Sequence, residues 1–168
     1  MSVDEKILLI LDLDETLIHS LPSGTRLDYD FKVFDYEVIK RPYLEQFIFN
    51  CSKCFRLAVW SSGTDDYVEE IVKHIFPDTI KPEFVWGRSR ATYCPVVDID
   101  TSGIYDASHF DYVKKLKKIK PLGYSLEKTI IIDDTPSKSK DNYGNAIYVK
   151  AFAGETDDRE LLFLEEYS

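Results

Sequence analysis

The stretch Lys6-Ile-Leu-Leu-Ile-Leu-Asp12-Leu-Asp14-Glu-Thr16 joins a run of apolar residues directly to a pair of acids. Apart from Lys6, the run is apolar up to Leu11, which predicts a strand buried on both faces of a parallel sheet. Ligands of such sheets bind just beyond the carboxyl ends of the strands. Because alternate residues of an extended chain share a face, Asp12 and Asp14 can point into one site. An isolated Asp-x-Asp is more often a capped turn, so the rest of the chain has to decide.

Two more short apolar strands are predicted, and polar side chains follow each of them. Phe55–Trp60 precedes Ser61-Ser62, and Lys128–Ile132 precedes Asp133-Asp134. Amphipathic runs with helical spacing lie between the strands, and this alternation is typical of an α/β fold. We therefore expect a Rossmann-like, mainly parallel sheet flanked by helices, with its polar strand ends gathered at one edge.

The remaining segments predict further helices, hairpins and a strand. Ser108 with Asp111 resembles a capping box, which predicts a helix from His109 to about Ile119, and Asp157 to Glu160 forms a similar pattern before a terminal helix. The other predicted elements are a hairpin at 31–40, a helix from Pro42 through Ile48, a helix from Thr64 to Ile75, a hairpin around Asp98–Tyr105 and a strand at 146–149.

Length and composition point to one folded domain covering residues 1–168. Of the 168 residues, 44% are hydrophobic and 14% aromatic, which is enough for a full core. No apolar run is long enough to span a bilayer, and the first residues lack the apolar core of a signal peptide. We expect an intracellular, soluble protein without membrane contact. Its expected location is the cytoplasm or, in a eukaryote, the nucleus.

Net charge and cysteine spacing exclude two kinds of binding site. A formal charge of -9 argues against extended contact with nucleic acid. It is compatible with a phosphorylated substrate that is held by one lysine and a metal ion. Cys51 and Cys54 have the spacing of a metal or redox pair, but no second pair or suitably spaced histidine accompanies them. We interpret the cysteines as reduced thiols.

The acids at the strand ends favour a metal-assisted reaction. Clustered carboxylates repel one another and need a hard cation to stay ionised together, and oxygen ligands suit Mg²⁺. One acid can then attack phosphorus as a nucleophile, and a second can give and take a proton. A hydroxyl and a lysine would bind the phosphoryl oxygens.

Four short motifs resemble those of the haloacid dehalogenase superfamily: Asp12-Leu-Asp-Glu-Thr16, Trp60-Ser-Ser62, a lysine in Asp111-Tyr-Val-Lys114, and Ile132-Asp-Asp134. The opening motif, continued by Leu-Ile-His19-Ser20, is similar to that of the branch of RNA polymerase II C-terminal-domain phosphatases, also called NLI-interacting-factor-like. Further similar segments are Val38-Ile-Lys-Arg-Pro42, Asn145-Ala-Ile147 and Asp157-Asp-Arg-Glu-Leu161. The resemblance implies a haloacid dehalogenase fold with small β-hairpin insertions and no large cap domain.

The resemblance also implies a role for individual residues. Asp12 would be the nucleophile that accepts the phosphoryl group and a Mg²⁺ ligand, and Asp14 the acid and base, which also offers the metal its backbone carbonyl. Asp133 or Asp134 would complete the metal ligands. The residues implied to bind phosphate are Ser61, with Ser62 as its rival, and Lys114, with Lys115 as the alternative.

The function predicted is Mg²⁺-dependent hydrolysis of a phosphomonoester through an aspartyl-phosphate on Asp12. The expected substrate is phosphoserine or phosphothreonine in a protein or peptide. Arg88 and Arg90 could contact it, but surface salt bridges explain these two residues at least as well. Two alternatives stay open: a phosphatase of nucleic-acid ends or small metabolites, and a non-catalytic module whose acidic groove binds a basic partner.

Overall fold

The computed structural model describes residues 6–26, 28–99, 105–139, 141–142 and 144–166, without the side chains of 96–99 and 105–109. A five-stranded parallel sheet lies at its centre. Its strands are β1 (Leu8–Leu11), β5 (Arg56–Trp60), β6 (Val85–Trp86), β9 (Thr129–Asp133) and β10 (Ala146–Tyr148). They lie in the order β10-β9-β1-β5-β6, and each neighbouring pair is parallel. The predicted α/β fold is confirmed.

Strand β1 occupies the middle of this sheet and is buried on both faces. Leu9 and Leu11 belong to one hydrophobic core, and Leu8 and Ile10 belong to the other. This division follows from the two-residue period of a strand. In the ladder, Leu11 lies beside Val59 of β5 and Ile132 of β9, so the three strands end at the same edge of the sheet.

Three helices cover the face of the sheet that carries Leu9 and Leu11. They are α1 (Leu44–Cys54), α2 (Asp65–Ile75) and α3 (Glu160–Glu166). The opposite face is covered by a 3₁₀ helix at Leu116–Leu122, which packs with Trp60 and Trp86. Among the residues that the structure describes, no helix is both long and apolar enough to cross a membrane.

Two antiparallel additions extend beyond the central sheet. The first is a three-stranded sheet made by β2 (Ile18–Pro22), β3 (Phe31–Val33) and β4 (Tyr36–Lys40), with β4 in the middle. It includes the predicted hairpin at 31–40. The second, which we call the β-ribbon, consists of β7 (Thr92–Ile99) and β8 (Tyr105–Val113). It includes the two ends of the hairpin predicted around Asp98–Tyr105, of which residues 100–104 lie outside the described residues.

The helix predicted from His109 to about Ile119 is wrong. The chain is in strand β8 up to Val113 and enters a 3₁₀ helix only at Leu116. Phe110 and Tyr112 alternate with polar residues as in a strand, and pairing with β7 overrides the weak capping pattern of Ser108 with Asp111. The lysine of this motif therefore follows a strand and is not on a helix.

The terminal helix is confirmed, but Asp158 caps it where Asp157 was expected. The backbone N–H of Glu160 donates to Asp158 Oδ1 over 3.1 Å. The same carboxylate accepts two hydrogen bonds from the buried Arg41, at 2.8 and 2.9 Å. Because Arg41 also donates to the backbone carbonyl of Thr16 over 2.9 Å, this ion pair ties the chain end to the loop after β1.

Candidate active site

Contacts of its backbone hold Lys114 at the carboxyl edge of the central sheet. The residue follows β8, and its backbone N–H donates to the carbonyl of Lys138 over 2.7 Å. The side chain of Asn142 holds the same turn, donating to the Lys114 carbonyl over 2.7 Å and accepting from the N–H of Leu116 over 3.0 Å. These contacts fix the backbone so that the lysine side chain points inward, and it is fully buried.

The ammonium group of Lys114 lies between two carboxylates. Its Nζ donates to Asp12 Oδ1 over 2.6 Å and to Asp133 Oδ2 over 2.7 Å. Burial lowers the pKa of Lys114, but the two carboxylates outweigh burial and raise the pKa above its ordinary value. Lys115, the alternative, is partly exposed, and its Nζ lies 3.8 Å from Asp141 Oδ2. The structure therefore brings Lys114, and not Lys115, to the acids.

Asp12 lies directly after β1, where its carboxylate is buried and held at both oxygens. Lys114 contacts Oδ1, and the Thr16 hydroxyl donates to Oδ2 over 2.9 Å. Burial raises the pKa of Asp12 to about 7, with Asp133 and Asp134 adding to the rise and Lys114 opposing it. The environment thus resists an ionised Asp12 unless more positive charge is supplied.

Oxygens of Asp12, Asp133 and Asp134 lie within 4.8 Å of one another, which gives three carboxylates to the single ammonium of Lys114. The excess negative charge and the all-oxygen donor set fit Mg²⁺. Asp133 is already engaged, because Oδ1 accepts the N–H of Thr135 and Oδ2 accepts both Lys114 and the Ser139 hydroxyl.

Asp134 is partly exposed, and its contact among the described residues is a long one of 3.5 Å from the Thr16 hydroxyl. Its carboxylate is therefore better placed than that of Asp133 to ligate a metal directly. Asp133 would then act mainly by orienting Lys114.

The carboxylate of Asp14 lies outside this cluster and faces a cavity of about 320 Å³. Its Oδ1 accepts the Tyr67 hydroxyl over 2.7 Å, and Ser20 contacts the same hydroxyl. Burial raises the pKa of Asp14 despite the lowering effect of the Tyr67 hydrogen bond. A carboxyl group with a raised pKa beside an open cavity is a candidate proton donor.

Ser61 and Ser62 follow β5 at the same edge. In the parallel ladder, Leu11 pairs with Val59, so the residues after β1 and β5 emerge side by side. The Ser61 hydroxyl is buried and accepts the N–H of Gly63 over 3.1 Å. The Ser62 hydroxyl is buried with no hydrogen-bond partner among the described residues. Both serines therefore emerge at the edge of the sheet that carries the acids, and the geometry alone does not rank their hydroxyls.

Sequence reasoning missed the parts played by Tyr67 and Arg41. Tyr67 lies in the first turn of α2, and its hydroxyl holds Asp14. A hydroxyl-bearing aromatic residue in the first turn after the serines was the available signal, since buried tyrosine hydroxyls usually find a partner. Arg41 holds the carbonyl of Thr16, whose hydroxyl contacts Asp12. Its partner Asp158 lies 117 residues away, beyond the reach of a local pattern.

A family model described as NLI interacting factor-like phosphatase matches residues 7–168. The chain is 30% identical over 165 residues to "Nuclear envelope morphology protein 1" of Schizosaccharomyces pombe, covering 93% of this chain and 31% of that protein. It is 25% identical over 164 residues to human "Carboxy-terminal domain RNA polymerase II polypeptide A small phosphatase 1", covering 94% of this chain and 56% of the relative. It thus spans about a third to about a half of the length of these relatives.

Solved structures support the fold. Fission yeast RNA polymerase II CTD phosphatase Fcp1 bound to beryllium fluoride superimposes with a TM-score of 0.60 at 18% identity, covering 96% of this chain and 49% of that one. A haloacid dehalogenase-like hydrolase from Bacteroides fragilis gives a TM-score of 0.57 at 13% identity, covering 95% and 93%. At these identities the likeness concerns the fold.

The burial of Lys114 predicts a large difference between two neighbouring lysines. Lys114→Met removes the cation between buried carboxylates and should lower the free energy of unfolding by about 3–5 kcal/mol in chelator. Lys115→Met removes a partly exposed charge and should change it by less than about 1 kcal/mol. Urea unfolding followed by circular dichroism measures both values. An equal loss in the two variants would contradict the placement of Lys114.

Proposed function

Since the chain belongs to the family of NLI interacting factor-like phosphatases, we propose that it is a Mg²⁺-dependent phosphatase of phosphoserine and phosphothreonine in proteins, acting through an aspartyl-phosphate on Asp12. The observation that carries this proposal is the buried carboxylate of Asp12, held between Lys114 and Thr16 at the end of β1. A fixed and desolvated carboxylate beside a cation is suited to attack on phosphorus.

In the first half of the reaction, a carboxylate oxygen of Asp12 bonds to phosphorus while the bond from phosphorus to the seryl or threonyl oxygen breaks. Asp14 donates its proton to that leaving oxygen, in keeping with its raised pKa and its place beside the cavity. In the second half, Asp14 takes a proton from water as the water oxygen bonds to phosphorus. The bond to Asp12 then breaks, and inorganic phosphate and the free carboxylate result.

Lys114 and Ser61 have supporting roles in this proposal. The ammonium of Lys114 offsets charge on the phosphoryl oxygens, and Asp133 fixes its position. The hydroxyl of Ser61 accepts the Gly63 N–H, which leaves its own proton free to donate to a phosphoryl oxygen. Asp12, Asp133 and Asp134 would hold Mg²⁺, with Asp134 as a direct ligand and the carbonyl of Asp14 as a further one. The ion supplies the positive charge that lets an anionic carboxylate approach an anionic phosphate.

The cavity beside Asp14 supports a peptide substrate. Its lining includes the aromatic residues Phe34, Tyr36 and Tyr67, and it opens to the surface between α2 and the three-stranded sheet. Such a surface suits the side chains that flank a phosphorylated residue. Two relatives are named for the nuclear envelope and for RNA polymerase II, which supports our proposal that the reaction takes place inside the cell, in the nucleus or the cytoplasm.

Replacement of the nucleophile should remove turnover. Asp12→Asn is expected to lower kcat for p-nitrophenyl phosphate by about 10⁴-fold or more, because the amide cannot form the acyl phosphate. Excess chelator should do the same to the wild-type protein, reversibly on adding Mg²⁺. Asp78→Asn, an exposed site with the same change, is the control and should retain activity. Turnover by Asp12→Asn within tenfold of wild type would contradict the mechanism.

The role of Asp14 predicts a dependence on the leaving group. Asp14→Asn should lower kcat/KM far more for a phosphoserine peptide than for p-nitrophenyl phosphate, since p-nitrophenolate leaves without a proton whereas an alkoxide does not. We expect the ratio of the two losses to exceed about tenfold. Comparable losses with both substrates would show that Asp14 does not protonate the leaving oxygen.

A further inference from the structure

One face of the β-ribbon carries apolar side chains toward solvent. Tyr93 pairs with Tyr112, and Pro95 pairs with Phe110, so all four side chains lie on the same face. Tyr93 is 60% exposed and Phe110 is 52% exposed. Val113 lies on the opposite face and is buried. A ribbon that packs on one face normally exposes polar residues on the other, so this arrangement calls for a binding partner.

The exposed rings are already arranged against one another. Tyr93 stacks on Phe110 with centroids 5.0 Å apart and an interplanar angle of 14°, and it contacts Tyr112 at 5.1 Å. Rigid aromatic side chains provide contact area at a low cost in conformational entropy, and they are enriched at recognition surfaces. We call Tyr93, Pro95, Phe110 and Tyr112 the aromatic face.

Arg88 connects the aromatic face to the candidate active site. Its guanidinium lies 4.9 Å from the centre of the Tyr112 ring. The same side chain lines the cavity that contains Asp14 and Tyr67. Phe110 is two residues from Tyr112 on the same strand, which adds a further distance of about 7 Å to the 4.9 Å between the Arg88 guanidinium and the Tyr112 ring. The span from Arg88 to Phe110 therefore corresponds to about three to four extended residues of a peptide.

The charge at the base of the β-ribbon indicates which peptides would fit. Arg88 and Arg90 are exposed there in a chain of net charge -9, and each guanidinium lies over an aromatic ring, that of Tyr112 or of Trp86. Arginine held against an aromatic ring can still donate to carboxylates from its edge. The surface therefore combines apolar contact with attraction for acidic side chains.

We propose that the aromatic face and Arg88 bind the peptide residues that flank the phosphorylated side chain on one side, and that they favour acidic residues next to the phosphate and apolar residues beyond them. This inference rests on the proposed function, since it assumes that the phosphorylated side chain enters beside Asp14. The β-ribbon would then select among phosphoproteins, while the acids at the sheet edge carry out the same chemistry on all of them.

The test compares a long and a short phosphopeptide. The long probes are two peptides with Glu-Glu-Leu-Leu or its reverse on one side of phosphoserine, and the short probe is acetyl-Ala-phosphoserine-Ala-amide. For wild type we expect a higher kcat/KM for one long peptide than for the short one. In Tyr93→Ser/Phe110→Ser this ratio should fall by about tenfold, because two exposed anchors are lost.

Matched variants and a charge-reversed peptide complete the design. Phe49→Ser/Phe163→Ser removes two rings of similar exposure on α1 and α3 and should leave the ratio unchanged. Tyr93→Phe retains the ring and should keep the ratio. The single variant Tyr93→Ser should lower the ratio by less than the double variant, and it provides the test if the double variant fails to fold; an unchanged ratio in Tyr93→Ser would then contradict the inference. Replacing the two glutamates by lysines should lower kcat/KM for wild type.

Several results would overturn the inference. One is an unchanged ratio of kcat/KM for the long and the short peptide in Tyr93→Ser/Phe110→Ser, and another is equal turnover of the glutamate and lysine peptides by wild type. A third is a wild-type dimer, measured by analytical ultracentrifugation, that the double variant abolishes while the ratio stays the same. Failure of the proposed function looks different: wild type would then hydrolyse neither the peptides nor p-nitrophenyl phosphate in the presence of Mg²⁺.

Discussion

The buried ammonium of Lys114, held between Asp12 and Asp133, is the interaction on which the rest of the site depends. Two carboxylates at the ends of neighbouring parallel strands would repel each other in a desolvated edge, and one lysine from outside the sheet offsets that repulsion. Asp134 leaves the cluster with more negative than positive charge. The site is therefore short of positive charge, which suits the divalent ion that we propose to bind there.

The surrounding structure serves to hold these few atoms in place. The in-register strands β1, β5 and β9 deliver acids and serines to one edge, and Asn142 fixes the turn that carries Lys114. Arg41 fixes the loop after β1 through the Thr16 carbonyl. Tyr67 holds the Asp14 carboxylate at the cavity, outside the cluster of Asp12, Asp133 and Asp134. Different elements of the fold thus position the proposed nucleophile and the proposed proton donor.

The sequence predicted the central sheet and its acids because buried strands are short, continuous apolar runs, and because parallel strands must end at one edge. It failed at residues 109–119, where a capping pattern competes with the alternation of Phe110 and Tyr112, and only pairing with β7 decides between helix and strand. Lys114 was proposed from motif position alone, since its burial depends on contacts with Asn142 and Asp133 that no local pattern encodes. The hold of Tyr67 on Asp14 likewise joins residues 53 positions apart.

The most direct test of the central claim is to trap the phosphoryl group on the protein. Wild type mixed with p-nitrophenyl phosphate and Mg²⁺ is quenched in acid and treated with hydroxylamine, which displaces phosphate from an acyl phosphate and leaves a hydroxamate. Mass spectrometry of the peptides then locates it. We predict a hydroxamate at Asp12, absent when Mg²⁺ or substrate is left out. Turnover that depends on Mg²⁺ but leaves Asp12 unmodified, or a phosphoryl group on another residue such as His19, would contradict the account.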